Sequence, residues 1–331
     1  MTDKVRLADI AEHLGVSIVS VSKALAGKDG VSEETRKKIV ALAEEWDYVP
    51  LRTKVKKTGE EISGNIGILV ADRFFSDNAF YTKLYRQIQM ACNSCGFSAV
   101  LEIVTWEAEN RCVMPTIIQG NKVDGFIMMG EIQREYLKMI IRSKLPYMLL
   151  DFYDEESDSD GITSDNVAGG YRLTTHLLES GKKSVGFVGS INATSSILDR
   201  FLGYAKALTR KDIKIDYKWV LEDRDEEGNF VPVKLPEHLP EAFVCSCDEV
   251  AYNLVLQLKD MGYRVPEDIG VAGYDDYYFS QMSVPQLTTY RVNYEEMGNM
   301  VVRQMISRIR GTYISHGNIV VKGDFVKRES T

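Results

Sequence analysis

The chain has 331 residues, 44% hydrophobic and 27% charged, which is enough for two domains, or three small ones, of an ordinary globular protein. No stretch approaches the roughly 20 apolar residues of a membrane-spanning helix, and Met1-Thr2-Asp3-Lys4 leads into an amphipathic segment without the apolar core of an export signal, so a cytoplasmic protein with five reduced cysteines is expected. The net charge of −8 speaks against a polyanionic partner for the whole chain, but residues 1–60 carry 11 Lys and Arg against 10 Asp and Glu, so the acidity belongs to the remainder.

Leu7, Ile10, Ala11 and Leu14 recur at helical spacing and predict one apolar face. Gly15 ends that helix. Ser17 is placed to cap a second helix, which turns Val21, Ala24 and Leu25 inward. Ser32 is placed to cap a third, packing Ile39, Leu42, Ala43 and Trp46, and Pro50 stops it. Two short helices joined by a tight Gly turn, braced by a third, predict an all-α helix-turn-helix head over 1–50 whose partner is DNA. Residues 51–63 lack apolar periodicity and carry the basic run Arg52, Lys54, Lys56 and Lys57. They read as a linker.

Beyond this the pattern alternates. Strands are expected at 66–70, 99–104, 125–129, 147–152, 184–189, 243–247 and 270–273. Helices are expected at 80–95, 133–143, 167–180, 200–209 and 248–261. Continuous apolar strands between amphipathic helices predict parallel sheets covered on both faces. Their number predicts an α/β body of two doubly wound lobes, with a ligand cleft at the carboxyl ends of the strands.

The order of motifs resembles the LacI/GalR family, the lactose and galactose repressor type of bacterial transcription regulator. Val16-Ser-Ile-Val-Ser-Val-Ser-Lys-Ala-Leu25 is similar to that family's recognition segment. Val31-Ser-Glu-Glu-Thr-Arg36, Tyr48-Val-Pro50 and Arg200-Phe-Leu-Gly-Tyr204 follow in the family's order. Val265-Pro-Glu-Asp-Ile-Gly-Val-Ala-Gly-Tyr-Asp-Asp276 and Pro285-Gln-Leu-Thr-Thr289 are similar to its core run. The resemblance implies a periplasmic-binding-protein-like core over 64–331 whose chain crosses between lobes three times. It places an N-lobe at about 64–163 and 291–318 and a C-lobe at about 164–290 and 319–331. It further implies a homodimer on a pseudo-palindromic operator, with operator affinity controlled by a small molecule.

By position, Ile18, Val19 and Lys23 face base edges. Ile18 and Val19 offer only apolar contact, and Lys23 stands where the family usually has Arg, a point charge in place of a planar fork. Ser17, Ser20, Ser22, Ser32 and Thr35 are placed for phosphates, and Leu7, Arg52, Val55 and Lys57 complete the expected DNA contacts. Lys57 occupies the position at which the family wedges a Leu into the minor groove. A charged side chain there predicts a less bent operator and a salt-sensitive hinge contact, with Val55 as a weaker wedge. A gel-phasing assay reads the bend directly.

For the effector, the family's positions correspond to Phe80, Tyr81, Asp151, Thr194, Ser196, Arg200, Asp275 and Tyr294. Aromatic faces, one Arg and two carboxylates suit a polyhydroxylated ring, so a sugar is the first reading and a nucleobase or nucleoside the second. Cys247 replaces the Asn that the family usually places there, and three prolines within 232–240 argue against the helix it usually has. Cys92-Asn-Ser-Cys95 reads as helix packing, Cys245 and Cys247 as buried thiols on one strand face, and 154–160 as a solvated acidic loop. With no nucleophile motif, phosphate loop or dinucleotide fingerprint, the chain reads as a non-enzyme without cofactor or metal. Two other readings remain open. One is a solute-binding protein. The other is a regulator governed by a partner phosphoprotein docking on Arg303, Arg308 and Arg310 of a helix at 295–310.

Overall fold

A computed structural model describes residues 7–25, 30–46, 62–75, 79–313 and 315–331. The head is three helices, α1 (Leu7–Leu14), α2 (Ile18–Leu25) and α3 (Glu33–Glu45). Ile10, Ala11, Val21, Ala24, Ile39, Leu42 and Ala43 form its core, and Leu7, Leu14, Leu25 and Trp46 pack around them. Gly15 adopts φ +62° at the end of α1, a conformation L side chains resist, and so makes the turn between the first two helices.

The first lobe begins with β1 (Asn65–Ala71), α4 (Asp72–Phe75), α5 (Ala79–Ser94), β2 (Ser98–Val104), α6 (Trp106–Asn110) and α7 (Thr116–Gln119). It continues through β3 (Gly125–Met129), α8 (Arg134–Ile141), β4 (Tyr147–Leu150) and β5 (Gly161–Ser164). The second lobe follows with α9 (Asn166–Glu179), β6 (Val185–Val188), α10 (Ser195–Arg210), β7 (Val220–Leu221), β8 (Ala242–Cys245), α11 (Asp248–Asp260), β9 (Gly270–Ala272) and α12 (Tyr278–Met282). The chain closes with β10 (Thr289–Arg291), α13 (Tyr294–Ile309), β11 (Asn318–Val321) and β12 (Asp324–Val326).

One sheet runs β11-β5-β4-β3-β1-β2 and the other β7-β6-β8-β9, each parallel throughout; β10 and β12 pair as an antiparallel ribbon. Their central strands are apolar along most of their length because helices cover both faces. The chain crosses between lobes after β5, between β10 and α13, and between β11 and β12. Expected boundaries at 163 and 318 are thereby corrected. Ser164 and the strand Asn318–Val321 belong to the first lobe, because β11 pairs along β5 as that sheet's edge.

Register sets the cleft. Met129 lies opposite Leu150, and Val188 opposite Cys245, so the strands of each sheet end level and release their loops at one edge. Helices α9 and α10 meet backbone to backbone. A Cβ on Gly170 would lie 2.1 Å from the Arg200 carbonyl oxygen, and one on Gly203 would lie 2.2 Å from that of Val167. Only glycine allows this approach, which fixes where Arg200 enters the cleft.

Two expectations are corrected here. The 154–160 stretch is not wholly solvated. Asp160 is buried, pairs with Arg308, and accepts hydrogen bonds from Ser315 Oγ (2.9 Å) and the His316 and Gly317 amides (2.9 and 2.6 Å). The expected basic face on α13 is correspondingly not an open one: Arg303, Arg308 and Arg310 are all half-buried. As expected, residues 224–242 contain no helix, and Cys92 and Cys95 are buried free thiols packed in the first lobe's core. Among the described residues, no helix is long and apolar enough to cross a membrane.

Candidate functional site

The head presents one distinctive surface. Ile18 and Val19, the first residues of α2, are 51% and 62% exposed, whereas Val21 and Ala24 of the same helix are buried. Two β-branched apolar side chains thus stand in solvent at a helix N-terminus, beside exposed Ser22 and Lys23. Ser17 Oγ accepts the Ser20 amide at 3.0 Å and lies 2.8 Å from Ser20 Oγ. Ser32 Oγ repeats the arrangement with the Thr35 amide at 3.2 Å and Thr35 Oγ1 at 2.8 Å. Both serines therefore satisfy orphan helix donors while their hydroxyls stay at the surface. Arg36 donates to the Ala24 carbonyl at 3.0 Å and ties α3 to the end of α2. Leu7 differs from its expected role: it is half-buried against the head's core. Arg52, Val55 and Lys57 lie outside the described residues.

Between the lobes is a cavity of about 50 Å³. Phe80, Tyr81, Asp151, Thr194, Ser196, Arg200 and Asp275 all line it, although they come from separate strand ends and helices. Phe74, Ile197, Arg224, Cys247 and Tyr277 complete the wall. Tyr294 is placed behind it. Its ring packs 5.2 Å from that of Phe80, and its hydroxyl donates to the Asp275 carbonyl oxygen at 3.3 Å, so it supports two lining residues.

Asp151 and Asp275 leave the carboxyl ends of β4 and β9 with φ of +68° and +106°. Non-glycine residues held there carry backbone strain of roughly 1–3 kcal/mol, kept only where the surroundings enforce it. Arg200 is buried with a full set of neighbours. Its Nε donates to Asn166 Oδ1 at 2.9 Å, one terminal nitrogen donates to the Ser246 carbonyl at 2.5 Å, and the other lies 3.7 Å from Asp275 Oδ1. Its guanidinium carbon sits 3.8 Å from the centre of the Tyr274 ring. Tyr81 donates its hydroxyl to Asp151 Oδ2 at 2.8 Å, and Ser196 donates to the Asp151 carbonyl at 2.7 Å.

Burial dominates the electrostatics. It pushes the Asp151 carboxyl up to about 6, with Arg200 and the Tyr81 hydroxyl pulling the other way. Burial likewise raises Asp275 to about 7, against the pull of Arg200. Asp276 points elsewhere: burial opposes its charge, but hydrogen bonds from Arg328 (2.5 Å) and Arg291 (2.6 Å) hold it below its usual range. Asp151 Oδ1, Asp275 Oδ1 and Arg224 Nη1 are buried without a hydrogen-bond partner among the described residues, Arg224 Nη1 lying 3.4 Å from Asp223 Oδ2 as an ion pair. Two acceptors and one donor therefore converge on a space walled by aromatic rings, a donor set suited to ligand hydroxyls.

Sequence reasoning overlooked Phe74, Ile197, Arg224 and Tyr277. Phe74 follows β1 directly, a strand-end signal open to use. Arg224 belongs to the proline-rich segment, which has no periodicity to place it. Cys247, a departure from the family pattern, lines the cavity, its thiol pushed up to about 12 by burial.

Comparison with known proteins agrees with this arrangement. Residues 6–50 match the family "Bacterial regulatory proteins, lacI family", and residues 174–331 match the "Periplasmic binding protein-like domain". The chain is 28% identical over 340 residues to the HTH-type transcriptional regulator RegA of Clostridium saccharobutylicum, covering 98% of each. It is 25% identical over 332 residues to the ribose operon repressor of Haemophilus influenzae, again covering 98% of each. The fold matches that of the transcriptional regulator CelR in its cellobiose complex, with TM-score 0.72 and 22% identity, covering 99% of this chain and all of the other. A lacI-type head, a two-lobed binding body and regulators alike along their whole length lead to one conclusion: the chain has the DNA-binding head and the binding-protein-like body of a LacI-type transcription regulator.

Proposed function

We propose that this protein is a repressor-type regulator whose operator affinity is set by a sugar bound between its lobes. The observation that carries this reading is the trio of buried polar atoms on Asp151, Asp275 and Arg224 that make no hydrogen bond to another described residue, on residues lining an aromatic-walled cavity. Carboxylate oxygens accept from adjacent sugar hydroxyls, the guanidinium donates to one, and Phe80 and Phe74 cover the ring's apolar face. The name of the ribose operon repressor, similar over its whole length, points to the same ligand class.

Asp151 hangs from the first lobe, while Arg200 and Asp275 hang from the second. A sugar bonded to both sides stabilises one mutual arrangement of the lobes. In a homodimer that arrangement sets the separation of the two heads on a pseudo-palindromic operator. On the DNA, Ile18 and Val19 contact thymine methyl groups and Lys23 reaches a guanine edge. Ser17, Ser20, Ser22, Ser32 and Thr35 serve the phosphates. The protein acts without catalysis, in the cytoplasm where its operator is.

The test is fluorescence anisotropy of the full chain on operator DNA recovered by selection from random duplexes, with and without a sugar panel. One sugar is expected to change operator affinity by roughly 5–150-fold, the range of a 1–3 kcal/mol coupling. A nucleoside that shifts affinity while no sugar does would overturn the effector reading.

A further inference from the structure

The inner cavity is far smaller than the roughly 300–1,000 Å³ typical of small-molecule pockets. Thr194 on its rim also lines a second chamber, of about 560 Å³, between the same lobes. The two are joined by a continuous wall. Tyr81 holds Asp151, Phe74 packs 5.1 Å from Tyr81, and the Arg73 guanidinium lies 4.8 Å from the centre of Phe74 and 5.7 Å from that of Trp106. A ring anchored at Asp151, Arg200 and Asp275 must therefore extend past Thr194 into the outer chamber.

That chamber has the features of a second subsite. Trp106, 42% exposed, lines it and supplies a large flat apolar ring. Ser195 is on its wall too, its amide donating to Glu131 at 2.7 Å. Its far edge is a rigid turn from the second lobe: Asp225 Oδ1 accepts the Glu227 and Asn229 amides at 3.0 and 2.9 Å, and Gly228 abuts the Arg73 side chain of the first lobe. The non-helical segment after β7 thus walls the chamber.

Charge narrows the ligand. Glu131, Asp154, Glu155, Asp225, Glu226 and Glu227 line the chamber, against Arg73 and Arg134 alone. Both cations are already engaged, Arg73 by buried Glu109 at 2.5 Å and Arg134 by Glu156 at 2.5 Å. The remaining field is negative and repels anionic sugars.

We infer that the effector is a neutral oligosaccharide of at least two rings, one anchored at Asp151, Arg200 and Asp275 and the next stacked on Trp106 in the acidic chamber. This rests on the sugar reading of the cleft.

Calorimetric titration of the full-length protein with monosaccharides, their neutral disaccharides and the corresponding uronic-acid disaccharides tests it. At least one neutral disaccharide is expected to bind tenfold or more tightly than its constituent monosaccharide, and its uronate analogue to bind more weakly. Trp106→Ala should weaken the disaccharide about tenfold and leave the monosaccharide unchanged, with Trp106→Phe restoring most of the loss. A monosaccharide that binds as tightly as any disaccharide, or a Trp106→Ala effect equal for both, overturns the inference and leaves the sugar reading standing. If no sugar of either size binds, both fall together.

Discussion

In the head, most charged side chains among the described residues stand in solvent, where Lys38 pairs with Glu34 at 2.8 Å; in the cleft, Arg200 and Asp275 face each other with side chains only 7% and 5% exposed. The head's distinctive feature is the reverse, apolar Ile18 and Val19 left in water. Each region departs from the usual rule of apolar inside and charged outside at the place proposed to meet its partner. The energetic consequences differ. Exposed residues are replaced at little cost to folding, whereas removing one member of a buried charge cluster leaves the others uncompensated.

The sharpest test of this contrast is Arg200→Ala. It should abolish the effector response and destabilise the body by about 3–5 kcal/mol, since Asp275 and Asp151 lose their buried counter-charge. Chemical denaturation monitored by tryptophan fluorescence measures the loss, and an unchanged midpoint would break the comparison. In the head, Val19→Ala should lower operator affinity about tenfold in anisotropy titrations, with a thermal transition indistinguishable from the parent.

The buried carboxyls also predict a pH dependence. With Asp275 raised to about 7 and Asp151 to about 6, the folded protein keeps protons that an unfolded chain has already lost above about pH 4. Each group's stabilising contribution is therefore complete below that pH and is lost as pH rises through 6 to 7, at no more than about 1.4 kcal/mol per pH unit. Asp275→Asn should flatten the decline between pH 5.5 and 7.5 in denaturant titrations. Effector affinity should rise over the same interval, because only the ionised carboxyl offers all its acceptors to hydroxyls. The smallest effect is expected at Ser32→Ala, about 1 kcal/mol from loss of the α3 cap, read as a lower thermal transition of the head.

The legibility of the two regions follows the same division. The head's core was readable because helical spacing brings Ile10 to Leu14 and Val21 to Ala24 within a turn or two, and the exposed Ile18 and Val19 stand out against that pattern. The central strands were readable as apolar runs. The strands β5, β7, β10, β11 and β12 were not: they are two to four residues long and sit in polar sequence without a sustained apolar run. Trp106 and Arg224 gave no local signal either, since each acquires its role from neighbours distant in the chain, whereas Phe74 stood just past a readable strand end. Tyr294 shows the converse, an aromatic at the right crossover that packs behind the cavity.

By itself the sequence determined the helix-turn-helix head, the alternating α/β body and the family whose motifs it carries, because local periodicity and short contiguous motifs encode these. Only the tertiary structure decided which charges are buried and which polar atoms lack partners. It alone revealed a small inner cavity beside a larger acidic chamber. Those properties arise where residues such as Asp151, Arg200 and Asp275 converge from different strands and helices, and burial is a property of that convergence.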